Sequence, residues 1–115
     1  MQGVIPVFTL LIDICVVNAQ SLRNKVCDYN DLILERKLDF LFVSESWLKH
    51  TDPDYVFRVN NLCPPGYKYI DAPRPTKKSG GGIAIVYKDS FTVKELPLPE
   101  KHFCLRVSVY RSTLN

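Results

Sequence analysis

Two polar residues in this 115-residue sequence stand just after apolar runs, and one of them, Glu45, could bind a metal ion or act as a general base. Glu45 follows the run Leu38–Val43, and Asn18 follows the run Leu10–Val17. Both runs are short and apolar, a pattern that predicts buried β-strands. Open α/β sheets bind ligands beyond the carboxyl ends of their strands, so a carboxylate there is a candidate metal ligand or general base. The structural alternatives stay open: a solvated Glu at a strand exit and, for Asn18, a turn or cap residue.

The segment between the two runs has the spacing of an amphipathic helix. Over Leu22–Arg36, apolar residues recur every three or four positions, and Ser21 or Asn24 could stand near the helix start. The apolar positions are Leu22, Val26, Tyr29 and Ile33, with Leu32 and Leu34 widening the face. Strand, helix and strand within residues 10–43 form a βαβ unit, which predicts that both strands belong to one sheet.

The rest of the chain alternates between short apolar segments and turn signals. A helix-start pattern at Thr51–Asp54 predicts a short helix to about Val59, and a turn follows at Cys63–Gly66. Four further strands are predicted, at Tyr67–Asp71, Ile83–Tyr87, Phe91–Leu96 and Phe103–Tyr110. We expect the third of these to pair with the second in a hairpin, and Gly82 to allow close backbone packing.

Composition and charge narrow the class of protein. The length allows one domain at most, which we assign to residues 10–115 with an amino-terminal extension at 1–9. Hydrophobic residues make up 46% and charged residues 23%, ordinary values for a globular domain, and the net charge of +3 permits a nucleic-acid partner without requiring one.

The cysteines and the amino terminus indicate the cellular compartment. Cys15, Cys27, Cys63 and Cys104 form no C-x-x-C pair, which favours reduced thiols and an intracellular protein, nuclear or cytoplasmic. The first seventeen residues contain no Lys or Arg and are interrupted by Pro6 and Asp13, which argues against a signal peptide and a membrane span. A small secreted module remains the less favoured alternative.

A basic loop precedes the strand at Ile83–Tyr87. Arg74, Lys77 and Lys78 lie with three glycines in P-R-P-T-K-K-S-G-G-G at 73–82. Backbone N–H groups and cations in such a loop can bind a phosphate, although the spacing is not that of a P-loop. A flexible, exposed hairpin made soluble by its charge is an equally good interpretation.

Four segments together resemble a known enzyme family. They are N-A-Q-S-L-R-N-K at 18–25, D-F-L-F-V-S-E-S-W-L at 39–48, C-P-P-G-Y at 63–67 and G-G-G-I-A-I-V-Y at 80–87. Their order and spacing resemble the amino-terminal part of the endonuclease/exonuclease/phosphatase family. The likeness is greatest to the apurinic-type endonuclease domain of vertebrate LINE-type (non-LTR) retrotransposons, and it covers about residues 10–110.

The resemblance implies the amino-terminal portion of a four-layer α/β (α+β) sandwich that cleaves the phosphodiester bonds of DNA with Mg²⁺. It implies that Glu45 is the metal-binding glutamate and that Asn18 helps to order the metal and the catalytic centre. Tyr110 is a weaker catalytic candidate, because Tyr110-Arg111 is similar to the start of the family's Y-R-P-P segment. The basic residues Arg74, Lys77 and Lys78 would lie towards the DNA backbone.

The family's acid/base motifs, D-x-N and S-D-H, belong to the carboxyl half of its domain, which has no counterpart in this resemblance. His50 and His102 do not follow Ser-Asp, and neither is predicted to be catalytic. We therefore expect a fragment of a Mg²⁺-dependent DNA endonuclease domain that is inactive or nearly so by itself. A non-catalytic remnant that binds nucleic acid weakly through the basic loop is the alternative. Half of a two-sheet sandwich is also expected to expose an apolar sheet face and to self-associate.

Overall fold

The computed structural model describes residues 11–72, 81–96 and 107–111 of the chain. These residues form two helices and six strands, so the predicted mixed α/β class is confirmed. In chain order the elements are β1 (Ile14–Asn18), α1 (Val26–Arg36), β2 (Phe40–Ser44), α2 (Tyr55–Leu62), β3 (Tyr67–Ala72), β4 (Ile83–Lys88), β5 (Phe91–Glu95) and β6 (Val107–Arg111). The predicted extension at 1–9, the three basic residues of the loop, Cys104 and His102 lie outside the described residues.

A four-stranded mixed sheet with the order β1-β2-β4-β3 is the centre of the fold. β1 and β2 are parallel neighbours, as the βαβ pattern predicted, and their register pairs Asn18 with Ser44. β4 runs antiparallel to both β2 and β3. Because parallel strands in register end together, the carboxyl ends of β1 and β2 form one edge of the sheet.

Both helices pack on one face of this sheet. The predicted apolar stripe of α1 is confirmed, since Val26 and Ile33 are buried against Leu41 and Val43 of β2 in the main core. Leu34 is the exception: it is 51% exposed and does not widen the apolar face.

The helix boundaries differ from the predicted ones by a few residues. α1 begins at Val26 rather than Leu22, after a backbone turn in which the N–H of Lys25 donates to the carbonyl of Leu22. α2 begins after Asp54 and continues to Leu62, so the Thr51–Asp54 segment forms turns before the helix. Such boundary shifts are expected, because periodicity defines a helical face better than it defines its ends.

β5 and β6 form a separate antiparallel pair, so the predicted β4–β5 hairpin pairing is wrong. β2 and β3 already occupy both edges of β4, which leaves no free hydrogen-bonding edge for β5. Instead, Phe91 of β5 packs on the opposite face of the main sheet, with its ring centroid 4.9 Å from that of Phe40. Three layers are therefore present in the described part of the chain: helices, the main sheet and the β5–β6 pair.

β1 is a strand, but the prediction that it is buried is wrong for one of its faces. Ile14 and Val16 are 54% and 74% exposed, whereas β2 is buried on both faces apart from the half-buried Phe42 and the exposed Ser44 at its end. β1 is an outermost strand of the sheet, and the helices cover only the face that carries Cys15 and Val17. The apolar face of β1 is thus exposed, while self-association through it stays a prediction. Neither helix in the described ranges is long and apolar enough to cross a membrane.

Candidate functional site

Asn18 and Glu45, the two residues predicted from the strand exits, are brought together by the parallel pairing of β1 and β2. Asn18 is the last residue of β1 and is paired with Ser44, directly before Glu45. Asn18 is exposed and Glu45 is half-buried. The structure therefore places the two residues next to each other in the main chain at the carboxyl edge of the sheet.

Backbone hydrogen bonds continue between the two chain segments beyond the ends of the strands. The N–H of Ser21 donates to the carbonyl of Glu45 at 2.9 Å, and the N–H of Leu22 donates to the carbonyl of Ser46 at 2.8 Å. On the other side, the N–H of Ser46 donates to the carbonyl of Gly82 at 3.2 Å. The main chain of Glu45 is thus held between the extensions of β1 and β4.

The same edge contains an unusual concentration of left-handed backbone. Glu45 and Trp47 have φ angles of 51° and 59°, and Gln20 and Ser21 have 47° and 91°. This conformation costs a non-glycine residue about 1–2 kcal/mol. Residues held in such conformations cluster at ligand-binding and active sites. The strained backbone is therefore a second observation, beside the position of Glu45 after a strand, that favours Glu45 as a metal ligand.

Gly82 packs directly against this strained segment, as its sequence context predicted. A Cβ atom at Gly82 would lie 2.7 Å from Oγ of Ser46, a buried side chain, and 3.7 Å from the backbone nitrogen of Trp47. Gly82 also has a φ of +90°. Both observations require glycine, because only glycine allows this conformation without a steric cost.

The side chains at the edge have the donor chemistry of a magnesium site. Among the described residues, the Glu45 carboxylate has no hydrogen-bond or ion-pair partner, while Oδ1 of Asn18 accepts a hydrogen bond from the N–H of Gln20 at 3.2 Å. Mg²⁺ favours oxygen ligands and commonly binds one or two protein carboxylates, with water and substrate phosphate completing its shell. No cluster of three or more His, Cys, Asp or Glu is found among these residues, so any ion here would rely on such outside ligands.

Lys25 places a cation beside this edge. Its Nζ donates to the carbonyl of Ala19, the residue after Asn18, at 2.7 Å. Lys25 was not predicted from the sequence as a site residue, because its contact depends on how the turn before α1 folds back on β1. The Lys25 ammonium group therefore lies beside the main chain that follows Asn18.

A second polar cluster, which the sequence did not predict, is centred on Asp71 of β3. Oδ2 of Asp71 accepts hydrogen bonds from the hydroxyls of Tyr55 at 2.7 Å and Tyr69 at 2.8 Å. Oδ1 lies 2.7 Å from Nε2 of His50. The Asp71 side chain is only 7% exposed, whereas that of His50 is 57% exposed. We call these four residues the Asp71 cluster.

Both tyrosines of the Asp71 cluster remain protonated at neutral pH. Burial raises the pKa of Tyr69, and the negative charge of Asp71 raises it further. Burial likewise raises the pKa of Tyr55, with the hydrogen bond to Asp71 as the next cause. The alternation of Tyr67, Tyr69 and Asp71 on one strand face was the available sequence signal, but its partners lie on other elements.

The remaining site predictions lie away from this edge or outside the described residues. Tyr110 is 55% exposed on β6, where it pairs with Thr92 of β5. The structure describes no hydrogen bond or core contact from it to Asn18 or Glu45. The chain contains one Asp-x-Asn triplet, at 28–30, but this lies within α1, where Asn30 donates to a carbonyl of α2. It therefore does not supply a second acidic group to the edge.

Comparison with known proteins adds no assignment. No family model matches the chain, and a search of the curated proteins finds no match.

Proposed function

We propose that this chain is part of a Mg²⁺-dependent, phosphodiester-cleaving endonuclease domain of the retrotransposon type, and that it carries the metal-binding side of the site. The observation that supports the proposal most directly is the pairing of Asn18 with Ser44, which sets Glu45 next to Asn18 in the main chain on a strained sheet edge. Three of the four sequence segments that resemble the family contribute to this edge, namely 18–25, 39–48 and the described part of 80–87. The fourth, at 63–67, lies at the opposite end of the sheet, where Tyr67 pairs with Lys88 of β4.

In this proposal the residues have separate roles. Glu45 binds the ion through its carboxylate, and Asn18 orders the shell around it through its amide oxygen. The bound ion would polarise a phosphoryl oxygen and stabilise the leaving oxygen. Hydrolysis also needs a base that orients water, and the family motifs that supply one have no counterpart in the resemblance, so we expect the chain alone to be inactive.

Metal binding can be tested without activity. Mn²⁺, a paramagnetic substitute for Mg²⁺, should broaden the backbone amide resonances of Asn18, Glu45 and their neighbours, and excess Mg²⁺ should reverse the broadening. Glu45→Gln should abolish the effect, whereas Glu35→Gln, which changes an exposed carboxylate on α1, should leave it intact. Broadening that persists in Glu45→Gln would rule out Glu45 as the ligand.

Catalysis is tested by the nicking of supercoiled plasmid in Mg²⁺. We expect no nicking by the native chain or by Glu45→Gln. Nicking that requires Glu45 would support the enzyme class but overturn the expected inactivity.

The second candidate function is weak binding to the nucleic-acid backbone without cleavage. The position of the Lys25 ammonium group, 2.7 Å from the carbonyl of Ala19, favours it. The basic loop residues Arg74, Lys77 and Lys78 would add to the attraction. Such binding should weaken steeply with salt, because phosphate contacts release counterions. A binding constant that does not change with salt would exclude this candidate.

A further inference from the structure

The Asp71 cluster holds the His50 ring in one orientation, although the His50 side chain is exposed. Nε2 of the ring lies 2.7 Å from Oδ1 of Asp71. A carboxylate can only accept a hydrogen bond, so Nε2 carries a proton and Nδ1 is the remaining site for a ligand. Nδ1 has no hydrogen-bond partner among the residues that the structure describes. Tyr55 supports the ring edge-on, with the two centroids 4.7 Å apart.

The negative charge of Asp71 is turned inward. Its two oxygens are occupied by His50, Tyr55 and Tyr69, and the side chain is almost fully buried. A ligand arriving from solvent therefore meets the imidazole rather than the carboxylate. Carboxylates commonly orient a histidine whose other nitrogen binds a ligand or transfers a proton.

The position of Asp71 relates the cluster to the Asn18–Glu45 edge. Asp71 pairs with Ala84 of β4, which in turn pairs with Val43 of β2, two residues before Glu45. Adjacent strands lie about 4.8 Å apart, so the β3 and β2 positions are separated by about 10 Å. One strand of a DNA duplex carries a phosphate per about 3.4 Å of helix axis, so a single strand is long enough to span this separation within a few nucleotides.

We propose that His50, held by Asp71, contacts a backbone phosphate of a nucleic-acid strand that passes the Glu45 edge. This inference deepens the proposed function and rests on it. The doubly protonated ring donates through Nδ1–H to a phosphodiester oxygen. A neutral ring with its proton on Nε2 offers only a lone pair at Nδ1, to which a diester has no proton to donate.

The surroundings of the ring favour an anion over a metal ion. The described groups that face His50 are Asp71, which balances one positive charge, and Tyr55, which stays neutral. The residue before it is the basic Lys49. No third metal-binding side chain accompanies His50 and Asp71 within the described residues. A phosphate needs one oriented cationic donor, which the ring supplies.

The test follows the histidine ring protons by NMR while a short oligothymidylate is added. The two histidines are distinguished by His50→Gln and His102→Gln. We expect saturable shifts of the His50 signals when the ring is doubly protonated, and none from a neutral ring, which has no Nδ1–H to donate. An oligomer with an uncharged methylphosphonate backbone should give no shift.

Salt titration of oligothymidylate binding provides a second measurement. His50→Gln should lower the slope of log binding constant against log salt by about 0.7, the value for one phosphate contact on a single strand. His102→Gln should leave the slope unchanged. Unshifted His50 signals, or an unchanged slope in His50→Gln, would overturn the proposal.

Two further arms separate the alternatives. If inorganic phosphate shifts the His50 signals as strongly as the oligomer does at equal phosphate concentration, His50 is a free-phosphate site and the backbone assignment is wrong. The Mn²⁺ broadening near Glu45 is measured on the same samples. If the Mn²⁺ broadening persists while the His50 signals do not respond, only the present inference fails. If the Mn²⁺ broadening itself is absent, that result counts against the proposed function.

Discussion

The Asn18–Glu45 edge and the Asp71 cluster lie towards the same end of one sheet but are held in opposite ways. The first is positioned by main-chain hydrogen bonds, and the Glu45 carboxylate has no described partner. The second is held by side chains, and every oxygen of the Asp71 carboxylate has one. A polar side chain that has no partner within the fold can bind a ligand. A buried side chain whose hydrogen bonds are all satisfied mainly stabilises and orients its neighbours.

This difference makes substitution a way to separate the two regions. In the Asp71 cluster, loss of a side chain should reduce stability first. At the Asn18–Glu45 edge, loss of a side chain should change ligand binding, and only a change to the backbone should reduce stability.

Asp71→Ala should have the largest effect. It leaves two tyrosine hydroxyls and the His50 ring without their acceptor, so we expect the free energy of unfolding to fall by about 3–4 kcal/mol. Asp31→Ala removes an exposed carboxylate on α1 and should change it by less than about 0.5 kcal/mol. Urea unfolding followed by circular dichroism measures both. Equal, small losses would mean that the Asp71 cluster does not hold the fold together.

Gly82→Ala should have the next largest effect, a fall of about 2–3 kcal/mol in the free energy of unfolding. It combines left-handed backbone with a clash against Oγ of Ser46. Gly66→Ala is the matched control: Gly66 has a similar φ of +85°, but nothing lies within 4 Å of a Cβ there. We expect about 1 kcal/mol for Gly66→Ala, from backbone strain alone. If the same unfolding assay gives equal losses, the close contact with Ser46 is not a constraint.

Tyr69→Phe should cost about 2 kcal/mol, because it removes a hydrogen bond to a charged acceptor. Tyr67→Phe removes a hydrogen bond of 2.6 Å to the neutral carbonyl of Leu38 and should cost about 1 kcal/mol. A larger loss of stability in Tyr67→Phe than in Tyr69→Phe would contradict the prediction that the charge of Asp71 makes the Tyr69 hydrogen bond the stronger of the two.

The pKa of Tyr69 adds a dependence on alkaline pH. Because its pKa is raised in the folded state, the unfolded chain loses the tyrosine proton first as pH rises above about 10. The contribution of Tyr69 to stability is therefore complete below about pH 10 and declines above it. Unfolding free energies measured between neutral and alkaline pH should decline less steeply in Tyr69→Phe; an unchanged slope would contradict this assignment.

Glu45→Gly should have the smallest effect on stability, and with the opposite sign. Relief of the left-handed backbone minus the extra entropy of unfolded glycine gives a gain of about 0.5–1 kcal/mol. The same change at Glu35, within α1, should cost about 1 kcal/mol. A loss of stability in Glu45→Gly would mean that the carboxylate has a structural partner and is not held free for a ligand.

The sequence predicted most of the helices and strands. Of the two polar sites at this end of the sheet, it predicted Asn18 and Glu45 but not the Asp71 cluster. Short apolar runs indicated β1, β2 and β4, helical spacing indicated α1, and the βαβ pattern predicted the parallel pairing that brings Asn18 and Glu45 together. The Asp71 cluster was missed, because His50 and Asp71 are 21 residues apart and nothing local links them.

By itself, the sequence determined the kind of each element and which residues follow each strand, because side-chain periodicity and turn residues act locally. Only the tertiary structure decided that β5 pairs with β6, that one face of β1 is exposed and that Asp71 meets His50. It also decided that Glu45 has left-handed backbone. These features depend on which edges and faces remain after the sheet has assembled, and that is a property of packing between distant segments rather than of any single stretch.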